Sequence, residues 1–158
     1  MKFTDAERVI LANQYEILGK LNNEKTYLDL AENLRDGHEW IYNQKISVSP
    51  IFTEEQSDFV VSILSLYEVI QDSFDALSDK GSLNEDSVKF PGFDGNNEGE
   101  YKRFFSALVE NDQFAHVKAN TNSHMKKIST YENMLDKWKS LGKSYKLSLD
   151  DIEAILGR

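Results

Sequence analysis

Thr53 to Ser78 reads TEEQSDFVVSILSLYEVIQDSFDALS. The opening Thr-Glu-Glu-Gln is a capping box, in which the threonine hydroxyl and the glutamine side chain each satisfy a backbone N–H of the other residue. Beyond it, Phe59, Ile63, Leu66, Ile70 and Leu77 recur at helical spacing, and Val60, Leu64, Tyr67 and Phe74 widen the stripe. The spacing predicts one helix of about 25 residues, about 38 Å long. An apolar arc this broad belongs to a central helix contacted by several others. Its polar side carries Glu68, Asp72, Asp75 and Asp79, grouped on one sector of the helical wheel.

The segments on either side are helical too, so the expected fold class is all-α: a multihelical domain built around the long central helix. Upstream, Thr4 with Glu7 forms a second capping box and opens a helix over 5–21. Ile10, Leu11, Ile17, Leu18 and Leu21 make its apolar arc, which we expect to face the core. Gln14 projects into the middle of that arc and is expected to act as a buried, fully hydrogen-bonded polar pin. A second helix over 24–36 ends at Gly37, a turn spans 38–43, and 45–52 reads as extended.

Downstream, 81–99 is irregular, with Pro91-Gly92 and Asp94-Gly95 as turn signals and Phe90 and Phe93 as anchors to the core. Helices follow over 97–110 and 124–141, with a loop between them. Ser148, with Asp151 three residues on, caps a last short helix. We expect one domain over 1–158, with a subdomain break near 80–97 if the chain divides.

The chain has 158 residues, Lys+Arg 18, Asp+Glu 27, net charge -9 and no cysteine. Zero cysteines exclude disulfides, thiolate metal sites and a cysteine nucleophile. No apolar run approaches the roughly 18 residues that span a bilayer. The N-terminus lacks a basic start followed by an apolar stretch, so we expect a cytoplasmic protein without membrane association. Net acidity disfavours nucleic acid as a partner. The charge is uneven: residues 1–117 carry net -12, whereas 118–158 carry net +3, with seven lysines between Lys118 and Lys146. That split suits docking between complementary surfaces.

No signature of chemistry is complete. His38-Glu39-Trp40-Ile41-Tyr42 begins like the zinc-protease HExxH, but Tyr42 stands where the second histidine must be. Asp94-Gly95-Asn96-Asn97-Glu98-Gly99 matches half a calcium loop, yet position twelve is Phe105, not a bidentate glutamate. We read it as a polar turn capping the next helix. Nucleophile-elbow, phosphate-loop and dinucleotide motifs are absent. No metal and no cofactor is expected, and His116 and His124 read as structural histidines.

The chain resembles the YfbU family of small bacterial proteins. The matching residues are Leu11-x-Asn13-Gln14-Tyr15, Phe90-x-Gly92-Phe93-Asp94, His116, Tyr131-x-x-Met134-Leu135-x-x-Trp138 and Tyr145-x-Leu147-Ser148, colinear over nearly the whole length. The resemblance implies an all-helical, oligomeric protein in two subdomains and implies no activity. Some relatives look like fusions to DNA-binding segments, which points to a regulatory or sensor module.

We therefore expect a homo-oligomeric regulatory or protein-binding module rather than an enzyme. One alternative is an enzyme or small-ligand protein with a site near the 90–97 loop, using Asp94, His116, Gln14 and Tyr15, since polar residues on irregular backbone are where sites concentrate. Another is an immunity- or antitoxin-like protein that offers a protein partner the acidic face of Glu68, Asp72, Asp75 and Asp79.

Overall fold

Capping chemistry fixes where the helices begin. The computed structural model describes all residues, Met1–Arg158. It contains α1 (Asp5–Asn22), α2 (Lys25–Arg35), α3 (Glu39–Asn43), α4 (Glu54–Ala76), α5 (Glu85–Val88), α6 (Gly99–Glu110), α7 (Ile128–Ser140) and α8 (Leu149–Leu156). No strand forms beyond a single parallel bridge between Phe90 and Ala119, so the fold is all-α. The capping boxes of Thr4 with Glu7, Thr53 with Gln56 and Ser148 with Asp151 are all formed, because each needs only residues three apart. A fourth, Asn84 with Ser87, starts the short α5 inside the segment read as irregular.

Backbone contacts group the chain into two units, Met1–Ile51 and Phe52–Arg158. The boundary falls at the extended stretch before Thr53 and not in the 80–97 segment. That segment lies within the second unit, where Phe90 and Phe93 are fully buried.

In the first unit α1 packs along α2, but not through the arc expected to face inward. Ala12 and Gly19 are the buried residues of α1. Gly19 is needed there: a Cβ would stand 2.7 Å from Leu28 Cδ2 and 3.2 Å from the Glu24 carbonyl. The small residues let α2 approach, and Leu30 and Leu34 close over them with Tyr42 of α3. Arg8 ties the pair by donating to the Leu34 carbonyl at 2.9 Å. Ile10, Ile17, Leu18 and Leu21 consequently point outward, 57%, 58%, 41% and 76% exposed. Gln14 lies exposed among them and is not a buried pin.

The second unit is organised by α4, 23 residues and about 35 Å long. It contacts α5, α6, α7 and α8. Val60, Ile63, Leu64, Leu66, Ile70 and Phe74 are almost completely buried. Phe90 and Phe93 from the loop and Tyr131 from α7 meet in an aromatic cluster with ring centroids 5.5–5.6 Å apart. Phe105 of α6 and Trp138 of α7 extend the core.

α7 starts four residues later than its periodicity suggests. His124 adopts a left-handed φ of +56°. The Lys127 and Ile128 N–H groups both donate to Glu98 Oε1, at 2.6 and 3.0 Å, which supplies the helix with a cap from a distant carboxylate.

The polar pin of the fold is Gln71, on the buried side of α4. Its Nε2 donates to the carbonyls of Lys118 (2.9 Å) and Val88 (3.2 Å), and its Oε1 accepts from the Lys118 N–H (2.9 Å). The same loops are joined by Phe90 N–H to the Lys118 carbonyl (2.9 Å) and Asn120 N–H to the Phe90 carbonyl (2.8 Å). Replacing Gln71 with alanine strands buried backbone groups on two loops. We expect Gln71→Ala to lower the unfolding free energy by about 2–4 kcal/mol, read from urea denaturation, whereas a cost below about 0.5 kcal/mol would deny it this role.

Candidate functional site

The loop between α5 and α6 was the strongest candidate on sequence, and its carboxylates are engaged in holding backbone. Asp94 is 3% exposed. Its Oδ1 accepts from the Asn96 N–H at 3.0 Å and its Oδ2 from the Asn97 amide at 2.5 Å, the self-bonded turn expected of an aspartate before glycine. Glu98, also 3% exposed, accepts from the Asp94 N–H at 3.0 Å through Oε2 while its Oε1 caps α7. Glu98 is the N-cap residue of α6, yet its side chain gives α6 no cap. The half calcium motif thus builds a joint between the loop and α7, and the expected cap on the next helix is replaced by one on the helix after it. No group of three histidine, aspartate or glutamate side chains converges to hold a metal ion.

Gly92 completes the joint. Its φ is +84°, and a Cβ there would lie 2.6 Å from the Asn120 carbonyl oxygen. Its own carbonyl accepts from the Tyr131 hydroxyl at 2.6 Å. Burial pushes the Tyr131 phenol well above the ordinary tyrosine range, with Tyr67 and Glu98 adding to the shift, so it remains a donor throughout the physiological range.

His116 stands on the loop after α6 and pairs across to α4, Nε2 to Glu68 Oε1, at 2.7 Å. No hydrogen bond joins it to Asp94. Gln14 and Tyr15 belong to the first unit, where Tyr15 packs on Tyr27 with centroids 5.9 Å apart. The four residues therefore form no hydrogen-bonded constellation. Of the acidic sector, Glu68 is taken by His116, Asp75 lies 3.9 Å from Lys118 Nζ, and Asp79 accepts from the Gly81 N–H at 3.0 Å. Asp72 is exposed beside a groove lined by Ser73, Tyr145 and Lys146. Sequence reasoning passed over Gln71 and named Glu98 only within the half calcium loop; the backbone groups that Gln71 holds, and those of α7 that Glu98 caps, lie far away in the sequence.

The architecture and the loop joint can be set beside known proteins. Residues 1–157 match the family described as the YfbU domain. The chain belongs to the YfbU family. Similar relatives include the UPF0304 protein MJECS11 of Methanocaldococcus jannaschii, 32% identical over 95% of this chain and 96% of its own length. A UPF0304 protein of Actinobacillus succinogenes and UPF0304 protein PM1500 of Pasteurella multocida are each 28% identical, over 99% of both chains. The match of whole length to whole length makes the YfbU unit the entire region compared, both contact units included. These names state no activity, so function must be argued from the residues of this chain.

The hydrogen bonds to Asp94 also set a pH dependence. The Asn96 N–H, then the Asn97 amide, hold its carboxyl below the ordinary aspartate value, with smaller attraction from His124 and Lys126. A carboxyl lowered on folding stabilises the native state above its unfolded pKa and loses that contribution as pH falls through the folded value. Asp94→Asn should therefore be less stable than wild type at neutral pH, and the gap should close as the pH drops below about 4. Urea midpoints across a pH series measure this, and a gap independent of pH would mean that the charge contributes nothing.

Proposed function

We propose that this protein is a homo-oligomeric binding module, regulatory rather than catalytic, that self-associates through the outward face of α1. The observation that carries this reading is the seam Ile10–Gln14–Ile17–Leu21. Its spacings of four, three and four are those of the apolar positions of a coiled coil. At 100° per residue the seam lies roughly opposite the Ala12–Gly19 face that packs on α2, so α1 has two apolar sides and only one is used within the chain.

A second copy of the same helix is the natural occupant, because a two-fold axis brings a self-complementary stripe onto itself. Ala6, Leu11, Asn13 and Leu18 flank the seam, with Glu7 and Lys20 beside its two ends. Gln14 is the one polar position within it. In a parallel pair it meets its own counterpart, and in an antiparallel pair centred on the seam the two lie about 4.5 Å apart along the axis. Either way the amides can satisfy each other, and a single polar residue in such a seam fixes register and oligomer number. The first unit exposes further large side chains, Trp40 at 76% and Val48 at 70%, which adds to the apolar surface available for association.

The test is size in solution. Wild type should run as a multiple of 18.2 kDa at micromolar concentration by light scattering. Ile17→Asp with Leu21→Asp should give the 18.2 kDa monomer with unchanged helical circular dichroism, since both positions are exposed. A wild-type monomer, or a double variant that keeps the wild-type size, would overturn the reading.

A further inference from the structure

Lys89, between α5 and the Phe90 loop, and Lys127, at the N-cap of α7, line one cavity of about 260 Å³, together with Arg158. One acidic side chain, Asp86, shares the lining. Neither lysine nor the arginine takes part in an ion pair. What sets the place apart in a chain of net charge -9 is that three cations gather round one hollow with a single acidic side chain beside them. Unpaired cations around a hollow in an acidic protein raise the local potential where a small anion could sit.

A second observation points to the same place. Tyr67 and Tyr131 also line the cavity. The Tyr131 hydroxyl is committed to the Gly92 carbonyl. The Tyr67 hydroxyl is not comparably served: the residue is 3% exposed, and the hydroxyl's one protein partner is the thioether of Met134 at 3.9 Å. Sulfur is a weak acceptor, and a buried phenol normally finds a better one. Met134 lines the cavity as well, so both members of this weak pair border it. Burial holds that phenol protonated, which keeps it a donor.

We propose that this cavity binds a small phosphate-bearing anion, with Lys89, Lys127 and Arg158 neutralising its charge and the Tyr67 hydroxyl donating to one of its oxygens. The chemistry fits a dianion with several acceptor oxygens: cations and a neutral donor converge, and the tyrosines and Met134 offer an apolar wall to a short organic substituent. The volume is at the small end for ligand pockets, which suits free phosphate or a compact monoester and excludes a dinucleotide. The site lies beside the Phe90 loop, where a small-ligand site was one expectation, but it uses neither Asp94 nor His116. It is independent of the α1 seam and stands or falls separately from self-association.

The test is calorimetric titration of the full chain with inorganic phosphate, phenyl phosphate and the neutral benzyl alcohol. Saturable binding of either phosphate supports the proposal, and the stronger of the two tells free anion from monoester. Lys89→Gln, Lys127→Gln and Tyr67→Phe should each weaken that binding about tenfold, the loss of one charge-assisted or buried hydrogen bond. Lys139→Gln, on the exposed face of α7, should leave it unchanged. Lys127→Gln keeps the backbone N–H that Glu98 accepts, so the variant should fold, which urea denaturation checks independently. No saturable binding of either phosphate up to about 10 mM, equal binding of benzyl alcohol, or wild-type affinity in both lysine variants would overturn the proposal.

Discussion

The amide of Gln71 decides what the rest of the second unit can be. An all-helical protein satisfies its backbone within its helices, but here two irregular segments meet beside α4, one buried at Phe90 and the other, around Lys118, buried only at Val117. Backbone groups removed from water must find partners or cost several kcal/mol in sum. The loops offer each other the bonds of one short bridge, and Gln71 supplies three more from a helix packed against α5, α6, α7 and α8. Because donor and acceptor stand at the end of one side chain, the α4 surface holds both loops at a set spacing. Gly92 and the aromatic cluster of Phe90, Phe93 and Tyr131 can then pack together.

Glu98 repeats the device one layer out. Its two oxygens accept from three backbone N–H groups, one in its own loop and two at the start of α7. α6 and α7 are thereby registered by a carboxylate, whereas Ser73 does the equivalent for the approach to α8 by accepting from the Leu147 N–H at 3.0 Å. The buried polar residues of the unit, Gln71, Ser73, Asp94 and Glu98, are all spent on backbone. Each of these groups has its hydrogen bonds met within the unit. The candidate binding features accordingly lie elsewhere, on side chains whose hydrogen-bonding capacity is unused.

What could be read in the sequence follows from how far apart the interacting residues are. Capping boxes at Thr4, Thr53 and Ser148 need four consecutive residues, and the central helix needs only its own periodicity. Both were legible. Gln71 joins residues 17 and 47 positions away, and Glu98 reaches 29 and 30 positions ahead, so nothing local marks either as structural. The delayed start of α7 has the same origin. In α1 the error came from size: large aliphatic side chains suggested the buried face, but helices approach most closely across small residues, and Ala12 and Gly19 took that role. The Phe90–Asn97 loop stands out by its composition, and Asp94 forms the polar turn read there, whereas the cap that Glu98 gives α7 depends on residues 29 and 30 positions ahead.

The charge of -9 and the cation-lined cavity are compatible because they act over different distances. At physiological ionic strength a surface charge is screened within about 8 Å. A polyanion approaching the protein spans many such lengths and meets the acidic average, including exposed Asp72 and the other carboxylates of α4. A phosphate-sized anion inside the cavity meets only its immediate neighbours, where cations outnumber carboxylates and water is partly excluded, so each contact is strengthened. The overall acidity and the proposed anion site therefore act on partners of different size. Of the lysines after Val117, Lys137 and Lys139 lie on α7, Lys146 lines the groove beside Asp72, and Lys127 is carried to the hollow where cations gather.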